Sequence, residues 1–81
     1  MRTKERLIFI LENMNRPVIG WKTDEVFLSV AKVLNQKHVA FDEQRFLHRK
    51  LFDIVTDHDS PYVRRLASEA GYYLVHMKVT A

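Results

Sequence analysis

The sequence predicts an all-α fold: four helices arranged as two antiparallel hairpins. Three observations carry this expectation. Apolar residues recur at three- and four-residue spacing, the signature of one helix face. Glycine and proline number only two each, too few for a turn-rich all-β chain. Helix-start residues stand before three of the four periodic runs. With 81 residues there is room for one small domain, spanning 1–81. Hydrophobic types form 47% of the chain and charged types 28%, the balance of a globular protein rather than a disordered tail.

The first helix is expected from about Thr3 to Met14, with Leu7, Leu11 and Met14 on one stripe. Asn13, Asn15 and Pro17 end it. Pro17 to Trp21 reads as a short, briefly extended connector, with Trp21 plugging a gap between helices. Thr23 is placed to cap the second helix, and Asp24 and Glu25 fall in its first turn, where the helix dipole favours negative charge. That helix runs to about Asn35 on a Val26, Val30, Val33 stripe flanked by Phe27 and Leu34. Its valines favour a strand, but Ala31 and Lys32 break the alternation a strand needs. Asp42 is placed to cap the third helix, which runs to about Thr56 with Leu47, Leu51, Ile54 and Val55 inward. Ser60 before Pro61 is the strongest start signal: a capping hydroxyl, then proline at the first helical position. The fourth helix places Val63, Ala67, Ala70, Leu74 and Met77 on one face, with Leu66 and Tyr73 at its edge. Gly71 either admits a close neighbour or ends that helix. In the second case Tyr72 to Thr80 becomes a strand, and the fold is an α+β, winged-helix-like one with a C-terminal strand.

The segment from Leu51 to Leu74 resembles a HEAT repeat. The residues that carry the likeness are Leu51, Ile54 and Val55, the turn Asp57-His58-Asp59-Ser60-Pro61, the pair Val63-Arg64, and the spaced Ala67, Ala70 and Leu74. The resemblance implies a helix-pair scaffold for contacts with protein or nucleic acid, without catalysis. It covers about 24 residues. Upstream, Phe27, Val30, Ala31 and Leu34 repeat the spacing of Val63, Leu66, Ala67 and Ala70, without the Asp/Pro turn. Small Ala67 and Ala70 allow the two helices to approach, and Arg64 is expected to reach back to the turn acids. Arrays of such units need about three repeats, so the chain is either a compact four-helix relative or one that completes its core by association.

Apolar residues off the stripes point to function. Phe46 and Phe52 each lie roughly 110–130° from the centre of the third helix's inward face, and Phe9 lies nearly opposite Leu7 and Leu11. Leu28 leaves the Val26/Val30 face. A second apolar surface for a partner, or for another copy, accounts for them. The bland reading is that the third helix is central and buries most of its circumference. Arg45, His48, Arg49 and Lys50 on the third helix, Arg64 and Arg65 on the fourth, and Lys37 and His38 before them are the candidate basic patch. Against it stand Glu43, Asp53, Asp57 and Asp59, and a net charge of only +3. A helix-turn-helix over Leu66 to Gly71 would leave a recognition helix with only His76 and Lys78 as contacts.

Several function classes fall away. There is no cysteine, and the four histidines include no pair at helical metal-ligand spacing. Asp57-His58-Asp59 are consecutive and cannot converge on one ion. No glycine-rich phosphate loop or activated nucleophile is present. No apolar run is long enough to span a membrane or serve as a signal peptide. The expectation is a cytoplasmic, non-enzymatic protein–protein interaction module or regulatory adaptor without cofactor, metal or small-molecule substrate, forming a homodimer. Phe9, Phe46 and Phe52 would make the apolar contacts, and Arg45, Arg49 and Arg65 the polar rim. The alternative is a small DNA- or RNA-binding regulator using Lys37, Arg45, Arg49, Lys50, Arg64 and Arg65.

Overall fold

A computed structural model describes residues 1–80, which form five helices and two short strands. In chain order these are α1 (Lys4–Glu12), α2 (Arg16–Ile19), α3 (Trp21–Leu34), β1 (His38–Ala40), α4 (Phe41–Asp57), α5 (Pro61–Val75) and β2 (Lys78–Thr80). The fold is mainly helical, but not purely so. β1 and β2 pair in parallel with His38 opposite Lys78, Val39 opposite Val79 and Ala40 opposite Thr80. Parallel strands need a long crossover, and here the α4–α5 hairpin supplies it.

Each helix end has a local cause. The Thr3 hydroxyl accepts the Arg6 amide and opens α1. Asn13 turns back to donate to the Phe9 carbonyl at 2.8 Å, closing it. The connector expected to be extended is instead one helical turn. Pro17 sits near its start, where its missing N–H costs nothing. Gly20 separates α2 from α3 with φ +94° and ψ +149°, a region only glycine occupies readily. Its N–H closes α2 on Arg16, and its carbonyl accepts the Asp24 amide to start α3. α3 therefore begins at Trp21, and Thr23 is a buried first-turn residue, not a cap. Likewise Ala40, extended at the end of β1, precedes α4, so Asp42 lies in the first turn rather than at the cap. Ser60 behaves as expected: its Oγ accepts the Val63 amide at 3.3 Å. Gly71 does not end α5, which continues to Val75.

α4 and α5 are antiparallel. Gln44 near the start of α4 donates to the Leu74 carbonyl near the end of α5. Further along α4, His48 lies over Gly71. Their inward faces hold Leu47, Leu51 and Ile54 against Val63, Leu66, Ala67, Ala70 and Leu74, all buried. α1 packs on α3 through Leu7, Ile8 and Leu11. On α3 the inward stripe is rotated from the expected one. Phe27, Val30, Ala31 and Leu34 fill the core and Val33 joins them, whereas Val26 is only half-buried. Phe27 is the larger apolar side chain, and burying it removes more surface from water than burying Val26 would. Trp21 does not plug a gap. It is 64% exposed, with the Arg16 guanidinium 4.5 Å from its ring centroid.

Three polar clips tie distant segments together. The Glu69 carboxylate, on the buried flank of α5, accepts from both the Arg2 backbone N–H (3.0 Å) and its guanidinium (2.7 Å), while the Tyr73 hydroxyl donates to the Arg2 carbonyl. Arg16 donates to the buried Asp24. His58, in the α4–α5 turn, accepts the Ser60 amide on Nδ1 (3.0 Å), which leaves Nε2–H to donate to the Ile19 carbonyl (2.9 Å). Among the described residues no buried side-chain nitrogen or oxygen lacks a partner. None of their helices is long and apolar enough to cross a membrane.

Candidate interaction surface

The core closes without the phenylalanines that stood off the sequence stripes. Phe46 is 61% exposed, Phe52 60% and Phe9 60%. Leu28 is also exposed. α4 is thus not a central helix buried around its circumference. It presents an outer face to water, and the two phenylalanines flank that face.

The flanks differ in chemistry. On the α3 side, Phe46 borders a groove with Val26, Lys22, Glu25, Lys50 and Asp53. Lys50 sits with its ammonium 5.3 Å from the Phe46 ring centroid. Both signs of charge therefore surround an apolar strip. On the α5 side, Phe52, Val55, Tyr72 and Val75 wall a groove floored by Ala67 and Gly71. Arg45 and Arg49 stand on the adjoining outer face of α4 with His48 and Val75, between Phe52 and Phe46, so that Phe46 borders this region as well as the α3 side. No carboxylate lines this second region. Small residues make the floor: Ala67 is buried, and a Cβ on Gly71 would meet only the His48 ring, at 3.8 Å.

The remaining predicted residues are distributed around the molecule. Arg65 is exposed in the first turns of α5. Arg64 is half-buried and donates to the His58 carbonyl at 2.9 Å, not to the turn acids. It acts as a clip across the α4–α5 turn. Lys37 borders a separate groove with Lys4, Glu5, Tyr73 and Lys78. Lys50 belongs to the α3 flank. Phe9 lies on α1, apart from both α4 flanks. The candidate basic residues thus do not form one continuous patch: Arg45 and Arg49 are neighbours, and the others lie elsewhere. Among the described residues no three His, Asp or Glu side chains gather as a metal-binding group.

Sequence reasoning missed Tyr72 and Val75. Both are 47% exposed, three residues apart on α5 and away from its inward stripe. The signal was present as an i, i+3 pair, but the segment also reads as a strand, and that ambiguity hid the face. Tyr72 is held in place by its ring packing on His76, with centroids 4.2 Å apart. Trp21 and Val18, 74% exposed on α2, were also missed, because the connector was not expected to be helical.

The fold and surface define a small helical domain whose antiparallel α4–α5 hairpin is bracketed by a parallel strand pair and carries exposed aromatics. Comparison with protein-family models, curated proteins and solved structures finds no match to this chain.

Proposed function

We propose that this chain is a non-enzymatic protein-interaction module that self-associates through the α3–α4 flank. The observation that carries the reading is Phe46, largely exposed on a helix whose core face is already filled. A large exposed aromatic ringed by polar groups is the composition of an interface centre. Charge favours a second copy on this flank. In a two-fold interface each surface meets itself, so residue i faces j and j faces i. A strip bearing Lys22 and Lys50 beside Glu25 and Asp53 can satisfy that condition, pairing lysine with carboxylate on both sides of the axis. The HEAT likeness of residues 51–74 adds support of its own kind, since such helix pairs serve as contact scaffolds.

The test is solution mass by light scattering across concentration, at low and high salt. The expected result is a dimer that persists in high salt, because apolar burial dominates. Phe46→Asp should give a monomer with an unchanged helical circular dichroism spectrum, and Phe52→Asp should leave the dimer intact. A wild-type monomer at all concentrations overturns self-association.

A further inference from the structure

We propose that the α4–α5 groove is the docking site for an acidic amphipathic helix of another protein. This rests on the interaction-module reading and names the partner for its second flank. Phe52, Tyr72 and Val75 form apolar walls over a floor of Ala67 and Gly71, so the groove is open where a partner's apolar side chains would enter. Two antiparallel helices with small residues between them leave a trough along which a third helix packs, its apolar residues recurring at i, i+3, i+4 and i+7.

Charge selects the partner. The side chains that line the groove and its mouth include Arg45, Arg49 and His48 and no carboxylate, while Asp42 and Asp53 lie about one turn away along α4. A second copy seated here across a two-fold axis would set one arginine-lined groove against another, with no carboxylate in either lining. A partner carrying Glu or Asp beside its apolar stripe meets both features: leucine-type side chains between Phe52 and Tyr72, and carboxylates at Arg45 and Arg49, where the planar guanidinium binds them bidentately. A nucleic-acid strand fits less well. Its extended phosphate backbone would find two adjacent arginines and no longer cationic track, since Lys37 and Arg64 are held elsewhere.

The probe is a roughly 15-residue amidated peptide with leucines at i, i+3, i+4 and i+7 and glutamates flanking them. Its controls are the same composition scrambled, and a version with every glutamate changed to lysine. A poly(dT) oligonucleotide of similar charge is titrated alongside. Binding is read by fluorescence anisotropy, and the site by amide shifts in an isotope-labelled protein. The expected result is binding of the patterned acidic peptide only, with shifts at Phe52, Gly71, Tyr72 and Val75 and none at Val26 on the α3 side. Arg45→Glu with Arg49→Glu, and separately Phe52→Glu, should each weaken binding by about tenfold or more. Both lie on the exposed face, and circular dichroism checks that the fold is retained. Gly71→Leu fills the trough without removing any contact and should weaken binding similarly.

Four results overturn the proposal. They are no binding of the patterned peptide, equal binding of the scrambled peptide, tighter binding of the oligonucleotide, and concentration-dependent shifts at Phe52 and Tyr72 without peptide. The last would seat a second copy in the groove. The two readings fail separately. A monomer that binds the peptide defeats self-association and sustains the groove, whereas a dimer through Phe46 that ignores the peptide does the reverse.

Discussion

Glu69→Gln tests the clip between the N-terminal segment and α5. The carboxylate makes two bonds to Arg2, one to its backbone N–H at 3.0 Å and one to its guanidinium at 2.7 Å. Glutamine keeps the shape and one acceptor oxygen, but it turns an NH2 toward one of the two donors and removes the ion pair. A hydrogen bond to a charged group contributes about 1.5–3 kcal/mol when buried. The Glu69 side chain is 9% exposed and that of Arg2 26%, so solvent screening brings the expected loss toward about 1.5 kcal/mol. For a domain of this size that lowers Tm by about 6–12 °C. The assay is thermal unfolding by circular dichroism for wild type, Glu69→Gln, Arg2→Met and the double variant. The cycle should return a coupling of about 1 kcal/mol. The Tyr73 bond to the Arg2 carbonyl is untouched in every variant and cancels. Additive losses, with no coupling, would refute the argument that the two side chains act as a pair.

Three further outcomes follow from the same structure. Gly20→Ala should cost about 1–3 kcal/mol from backbone strain alone, since an added Cβ meets nothing within 4 Å; a neutral result in urea unfolding would show that the α2–α3 junction relaxes freely. Gly71→Ala should raise stability by up to about 1 kcal/mol, because the site is mid-helix and the new methyl makes an ordinary contact with His48; a lower Tm would mean that ring cannot adjust. His58→Phe removes the bonds to Ser60 and Ile19 while keeping the ring's bulk, and should cost about 1–3 kcal/mol and raise amide exchange at Ser60.

Helix existence was legible where spacing and caps agreed. Ser60-Pro61 placed the start of α5, and Leu47, Leu51 and Ile54 placed the inward face of α4. The angle of Phe46 and Phe52 on that helix left both a buried and an exposed place open, and it is the small number of helices packed on α4 that leaves them exposed. What the sequence concealed depends on partners distant in the chain. β1 is three residues long, and among the described residues its ladder lies on residues 78–80. Nothing within His38-Val39-Ala40 announces a strand without Lys78-Val79-Thr80 beside it. Both starting options for the C-terminal segment held a part of the answer. The helix runs on through Gly71 to Val75, and a strand follows, but it pairs in parallel with β1 instead of forming a winged-helix hairpin. The caps expected at Thr23 and Asp42 failed for a common reason. Gly20 and Ala40 already hold the extended or positive-φ geometry that ends one element, so each helix begins as soon as the chain leaves it. The α5 wall of the groove was lost to the strand reading of Tyr72 to Val75.

The strand pair also bears on how the chain folds. His38 and Lys78 are far apart in sequence, and joining them in an otherwise open chain would carry the entropy of closing a long loop. The α4–α5 hairpin removes most of that penalty. Once α5 lies antiparallel on α4, the residues before one helix and after the other are already neighbours, and the ladder closes over a short effective distance. The pairing should therefore zip late and quickly, behind a hairpin whose contacts are largely local. In native-state hydrogen exchange, the amides bonded between β1 and β2 should open no less readily than those of the α4–α5 core on which they depend.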